Sequence, residues 1–236
     1  MNTCPRRDPL LLTRRLVQLY VGLALYGFSM ALQIRASLGL DPWDVFHQGV
    51  SRHVPLSFGT ITMIVGAVVL LLWIPLRQKP GLGTVSNVFV IGLSVDEGLR
   101  LLPVLHGLPL RLAVLAAGVV LNGLAGGLYI GARFGPGPRD GLMTGYVRRS
   151  GRSIRLVRTG IEVTVLVVGL LMGGQVGIGT VVYAVAIGPL VQFFLPMLTV
   201  PHANDTNDAG RTPGDGTGVD HPGRVRGGAV RAASRG

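Results

Sequence analysis

Charge and cysteine are both scarce in this chain. Only 14% of its 236 residues are charged, against about 25% in an ordinary soluble domain. The shortage is concentrated in long apolar runs, and the mean hydropathy is +0.51. Both point to a bilayer rather than to a soluble core. Cys4 is the single cysteine, so an intramolecular disulfide and any multi-cysteine metal site are excluded. It precedes charged residues instead of following an apolar stretch, which does not fit a lipoprotein cysteine. Lysine is nearly missing: Lys79 stands beside 21 arginines, a bias that, with the Ala, Gly and Val richness, fits a GC-rich bacterial genome. The five histidines, His47, His53, His106, His202 and His221, show no HExxH-like spacing, and no Ser/His/Asp or Gly-x-Ser-x-Gly arrangement is present. The chain therefore reads as a non-enzyme with no cofactor and no metal. Its net charge of +11 does not imply a nucleic-acid partner, because basic residues collect in the cytoplasmic loops of membrane proteins.

What is present is a series of apolar segments. They fall at 16–34, 58–76, 82–102, 111–130, 156–174 and 178–199, and a span of 19 residues reaches roughly 28 Å at ~1.5 Å per residue. The expected fold class is all-α, a polytopic bundle of about six transmembrane helices whose first partner is the lipid bilayer. Segments 35–57 and 131–155 each open with a Gly/Pro-rich turn and continue into a short stretch, 42–53 and 138–149, too short and polar to span alone. These short helices re-enter the membrane or lie at its interface. Residues 1–15 form a basic N-terminal segment, 16–103 and 111–200 the two membrane repeats, and 201–236 a polar, basic tail. The tail has almost no large apolar residue and reads as disordered.

The two repeats align without a gap at an offset of 96 residues. Gly22 and Gly27 meet Gly118 and Gly123; Gly39, Pro42 and Asp44 meet Gly135, Pro138 and Asp140; Gly81, Gly83 and Thr84 meet Gly177, Gly179 and Thr180. Apolar composition would match many Leu and Val, but not these Gly, Pro, Asp and Thr positions at one offset. Three spans per repeat place the second repeat in the membrane upside down. With the N-terminus inside, 18 of the 22 basic residues are cytoplasmic, leaving Arg35, Arg52, Arg100 and Arg111 outside. That bias puts both termini in the cytoplasm of a bacterial cell. The alternative, in which 42–53 and 138–149 cross the bilayer, gives four spans per repeat and parallel halves.

Leu38-Gly-Leu-Asp-Pro-Trp-Asp-Val45, Gly81-Leu-Gly-Thr84 and Gly135-Pro-Gly-Pro-Arg-Asp-Gly-Leu-Met143 resemble the YczE-like membrane proteins, relatives of the broader YitT group. Arg158-Thr-Gly-Ile-Glu162 and Gly173-Gly-Gln-Val-Gly-Ile-Gly-Thr180 extend the likeness across most of residues 12–200. The resemblance implies a bacterial integral membrane protein and supplies no mechanism.

Candidate residues divide into three groups. Asp44 and Asp140 are repeat equivalents that could face each other near the membrane midplane and bind a cation or proton. Each also sits two residues after a Pro, where a carboxylate suits the first helical turn, with Asp41 as an N-cap before Asp44. Arg158 and Glu162, four apart, share one face of a membrane helix. They read equally as part of a polar pathway and as a local ion pair. Asp96 reads as interior or interfacial, and Glu97 as interfacial. Gly27, Ala31, Gly123, Gly127 and Gly131 form small-residue ladders that let helices approach closely, between the two halves or, alternatively, along a homodimer seam. Gly81, Gly83, Thr84, Gly177, Gly179 and Thr180 read as tight turns with Thr capping the following helix. Asn87 and Asn122 read as interhelical glue. The leading function is a transporter or permease for a small solute, proton-coupled through the membrane acids; the alternative is an accessory protein supporting another membrane system.

Overall fold

A computed structural model describes residues 9–200. Cys4, His202, His221 and the tail at 201–236 lie outside the described residues. Eight helices follow in order: α1 (Pro9–Ala36), α2 (Pro42–Ser51), α3 (Phe58–Leu71), α4 (Leu82–Leu101), α5 (Leu108–Gly131), α6 (Pro138–Ser150), α7 (Ile154–Leu171) and α8 (Ile178–Leu198). No strand occurs among the described residues.

Local chemistry sets the helix starts. Asp41 caps α2, its Oδ1 accepting from the amides of Trp43 at 2.8 Å and Asp44 at 2.9 Å, and Pro42 fills the first turn where no donor is needed. Ser57 caps α3 and Ser153 caps α7. In α4 and α8 the cap position is Gly81 or Gly177. Thr84 Oγ1 accepts from the amide of Gly81 at 3.2 Å, and Thr180 Oγ1 from that of Gly177 at 3.3 Å. Two expected spans end early for covalent reasons. The segment 58–76 leaves the α-helix at Leu71 and runs through turns toward Pro75, whose ring cannot continue a helix. The segment 156–174 ends at Leu171, ahead of Gly173 at φ +92°. At the other end, α1 starts seven residues before 16 and carries Arg14 and Arg15 within it.

Three helices are long and apolar enough to cross a membrane: Leu10–Ala36, Leu108–Gly131 and Ile178–Leu198. Helices α4 and α7 are 20 and 18 residues long but carry charge, Asp96, Glu97 and Arg100 in one and Arg155, Arg158 and Glu162 in the other. Helix α3 is apolar but only 14 residues long. Phe89, Leu93, Leu171, Val181, Val185 and Phe193 point outward. Exposed apolar surface of this kind suits acyl chains, not water.

At the centre α1 packs on α5 and on α4, while α5 packs on α8. The first two run antiparallel. Arg15, near the start of α1, donates to the carbonyls of Ala132 at 3.0 Å and Arg133 at 3.1 Å just past the end of α5. Arg111, near the start of α5, donates to those of Ala36 at 2.6 Å and Ser37 at 2.5 Å at the end of α1. Each arginine thus satisfies carbonyls that a helix end leaves free.

The glycine ladders pack mainly between α1 and α4 and between α5 and α8, although Gly131 also meets Gln18 of α1. A Cβ on Gly27 would fall 2.6 Å from Ser94 Cβ on α4, and one on Gly123 would fall 2.6 Å from Leu190 Cβ on α8. Gly98 of α4 packs against Ala31, Gly127 meets Phe194, and Gly131 meets Leu198 and Gln18. Contact between α1 and α5 instead uses Gly22, where a Cβ would lie 2.8 Å from the Tyr129 amide, and Gly118, where it would lie 3.0 Å from Gln33 Cγ.

Candidate functional site

Both short helices begin at a proline, and both direct their N-termini into one cavity of about 320 Å³. Pro42 and Pro138 line it, and much of the remaining wall also comes in residues 96 apart: Thr62 with Arg158, and Ile91 with Ile187. A helix N-terminus presents free amides and the positive end of the helix dipole, and two of them meet at this one cavity.

Arg139, the second residue of α6, crosses to α2. Its Nη1 lies 3.9 Å from Asp41 Oδ1 and its Nη2 lies 3.8 Å from Asp44 Oδ1, while its guanidinium sits 4.9 Å from the ring centre of Trp43. Those separations are ion-pair distances, longer than hydrogen bonds. Behind Asp44, His47 Nδ1 is 3.2 Å from Asp44 Oδ1 and 3.3 Å from Thr62 Oγ1. Asp140, the third residue of α6, accepts from the Tyr129 hydroxyl at 3.2 Å. On α7, Arg158 Nε donates to Glu162 Oε1 at 2.9 Å, and both residues line the cavity. Tyr26, Tyr129, Tyr183 and Trp43 supply aromatic walls. Deeper in, Asn122 donates to Ser29 Oγ at 2.8 Å and accepts from the Tyr183 hydroxyl at 3.1 Å, joining α1, α5 and α8.

Of the sequence-derived candidates, Asp140, Arg158 and Glu162 line the cavity, and Asp44 stands immediately behind it, bonded to His47 and facing Arg139. Asp96 does not belong there. Its Oδ2 accepts from Ser57 Oγ at 2.5 Å and its Oδ1 from the Gly59 amide at 2.7 Å, so it caps α3 and latches α4 to it. The physical reason is position: the start of α3 offers free amides, and a carboxylate one helix away satisfies them. Glu97 is exposed and paired with Arg100 at 3.5 Å. Thr84 also donates to the Pro136 carbonyl at 2.8 Å, so the Gly81 turn holds the Pro138 loop in place.

Arg139, Trp43 and His47 were not singled out as site residues in the sequence. One signal was available for Arg139: a cation in the first turn of a helix opposes the dipole, and only a strong local reason keeps it there. Trp43 and Arg139 are also 96 apart, and they meet.

The two halves of the wall differ. Helix α3 packs on α4, but α7 and α8 make no comparable packing. Gly160 on α7 and Gly188 on α8 have nothing within 4 Å of where a Cβ would be. Arg158 and Glu162 accordingly stay 58% and 33% exposed.

The model of a family of unknown function, DUF6198, matches residues 13–196. An uncharacterized protein of Haemophilus influenzae is 37% identical over 78% of this chain and 85% of its own. The uncharacterized membrane protein YczE of Bacillus subtilis is 35% identical over 75% of this chain and 83% of its own. A second Bacillus subtilis relative, the uncharacterized protein YyaS, is 28% identical over 75% and 90%. No solved structure matches the chain.

Proposed function

The chain belongs to the DUF6198 family, and from that premise we propose that it is a small secondary transporter or permease whose substrate site is the cavity between α2 and α6. The observation that carries this reading is the convergence of two proline-started half-helices on one partly open cavity whose largely apolar wall carries a few charged groups, with Arg139 bridging from one half-helix to the acids of the other. Half-helices meeting at a central site are how membrane transporters present backbone dipoles to a solute without exposing free amides to lipid.

An inverted internal repeat supports the same reading. Helices α6, α7 and α8 begin 96 residues after α2, α3 and α4. Left-handed residues recur at that offset, Ser37 with Arg133 and Gly39 with Gly135. The antiparallel α1–α5 contact and the matched Arg15 and Arg111 bonds are what a half-turn in the membrane plane would produce. Six spans follow: α3 with the turn to Arg77 covers the thickness, α4 uses Asp96 internally, and the Arg158–Glu162 pair neutralises charge within α7. Both termini then face the cytoplasm of a bacterial cell. The role is transport, not catalysis, with Asp44, Asp140 and Glu162 as the groups available to carry a proton.

The deciding measurement is solute flux in proteoliposomes with and without an imposed pH gradient, repeated for Asp44→Asn, Asp140→Asn and Glu162→Gln. Transport predicts gradient-dependent uptake that falls at least about tenfold in one of the three variants. If no solute in a broad panel moves, and a stable membrane protein co-purifies with the chain, the accessory reading replaces this one.

A further inference from the structure

The geometry points to a ligand class for this cavity: a small organic cation that also carries an oxygen, with its ammonium at Asp140 and its oxygen at Trp43. The inference rests on the binding half of the proposed function and not on transport itself.

Charge is the first argument. Around the cavity stand the carboxylates of Asp41, Asp44, Asp140 and Glu162 and the guanidinium groups of Arg139 and Arg158. Both cations are already committed, Arg139 between Asp41 and Asp44 and Arg158 to Glu162. Asp140 is left with one phenol, that of Tyr129, as its hydrogen-bonding partner. The start of α6 offsets part of its charge. A carboxylate open to the cavity with no ion-pair partner of its own nevertheless favours a cation over an anion. Sulfate or phosphate brought to the same place would meet the carboxylates of Asp41, Asp140 and Glu162 in the cavity wall.

The wall is the second argument. Tyr26 and Tyr129 meet edge to face with ring centres 6.0 Å apart, and Tyr183 completes the aromatic side. Aromatic faces attract alkylated ammonium groups, whose weak hydration makes the transfer inexpensive. The same chain already shows the preference, since Arg139 lies over the Trp43 ring.

Independently, Trp43 is only 7% exposed, lines the cavity, and has a buried indole N–H without an acceptor. Buried donors are ordinarily satisfied. Trp73, the other tryptophan, follows that rule and donates to the Pro138 carbonyl at 3.0 Å. A ligand hydroxyl or carbonyl oxygen would satisfy Trp43. The cavity, about 320 Å³, is at the small end of ligand pockets, which suits a small solute.

The test uses the full chain in detergent micelles, with radiolabelled choline as probe at fixed ionic strength. Tetramethylammonium, which lacks the oxygen, and labelled sulfate are run in parallel. Expected are saturable choline binding and about tenfold weaker tetramethylammonium binding. Trp43→Phe brings the two cations level, and Asp140→Asn weakens both about tenfold, with recovery in Asp140→Glu. Saturable sulfate binding without choline binding overturns the proposal. So does choline binding unchanged in an Asp140→Asn protein that elutes as a single species. If that variant aggregates, Tyr129→Phe, which removes the one hydrogen bond to Asp140, carries the comparison, and unchanged choline binding in it is equally fatal. Choline bound but never taken up by proteoliposomes would leave this inference standing and remove transport. Uptake of an anionic solute without choline binding would do the reverse.

Discussion

Asn122 holds three helices with one side chain, donating to Ser29 on α1 and accepting from Tyr183 on α8. Truncation to Ala removes both interhelical bonds and leaves Ser29 only its donation to the Tyr26 carbonyl at 2.6 Å. The expected loss is about 1 kcal/mol, seen as a lower temperature of aggregation in a fluorescence-detected size-exclusion melt. Asp96 makes the contrasting case. Asp96→Ala removes the acceptor of the Gly59 amide and leaves the Ser57 cap of α3 in place, at a cost of about 1 kcal/mol, and should leave ligand binding unchanged because the residue lies away from the cavity. An equilibrium binding curve with the same midpoint as the parent protein checks it. At this scale the sequence reading was uneven. Arg158 and Glu162 were visible because charge inside an apolar run is conspicuous, and Asp140 because it stands 96 residues after Asp44. Trp43 and His47 were not, because their significance lies in which distant helix they meet. Asp96 was misread because the amides it serves belong to α3, 37 residues away in the chain.

Helix starts were far more legible than site membership. Pro42, Pro138, Ser57 and Ser153 mark their helices through local chemistry that needs no tertiary context. Helix partners are another matter. The four-residue spacing in α5 announced close packing but not its direction, and Gly123 and Gly127 lean on α8 of their own half. The seam between α1 and α5 rests on the less conspicuous Gly22 and Gly118. Gly22→Leu should therefore push α1 off α5, while the same change at Gly160, which has open space around it, should be tolerated. We expect Gly22→Leu to lower the yield of monodisperse protein several-fold, consistent with a loss of about 2 kcal/mol or more, and Gly160→Leu to leave it unchanged.

For the molecule as a whole, the proposed inverted arrangement makes a topological prediction. Val54 and Ser150 are 96 residues apart and exposed; Val54 sits between α2 and α3, and Ser150 is the last residue of α6, just before α7. In a Cys4→Ser background, cysteines at these two positions should react with a membrane-impermeant maleimide from opposite sides of the membrane. Labelling of both from one side would mean parallel halves.

Two further backbone bonds set a condition on how such a protein can be built. The amide of Gly83 donates to the Phe134 carbonyl at 3.0 Å, and that of Gly179 donates to the Leu38 carbonyl at 2.8 Å. Each half thus ends its loop on a helix that the other half supplies, and neither can close its own accounts of donors and acceptors. A gene encoding residues 1–105 alone would yield a chain whose missing partners could come only from a sister molecule inserted the opposite way. In the proposed inverted arrangement such a sister pair is a dual-topology dimer, and joining the two halves in one chain fixes the opposed orientations that separate insertion leaves to chance.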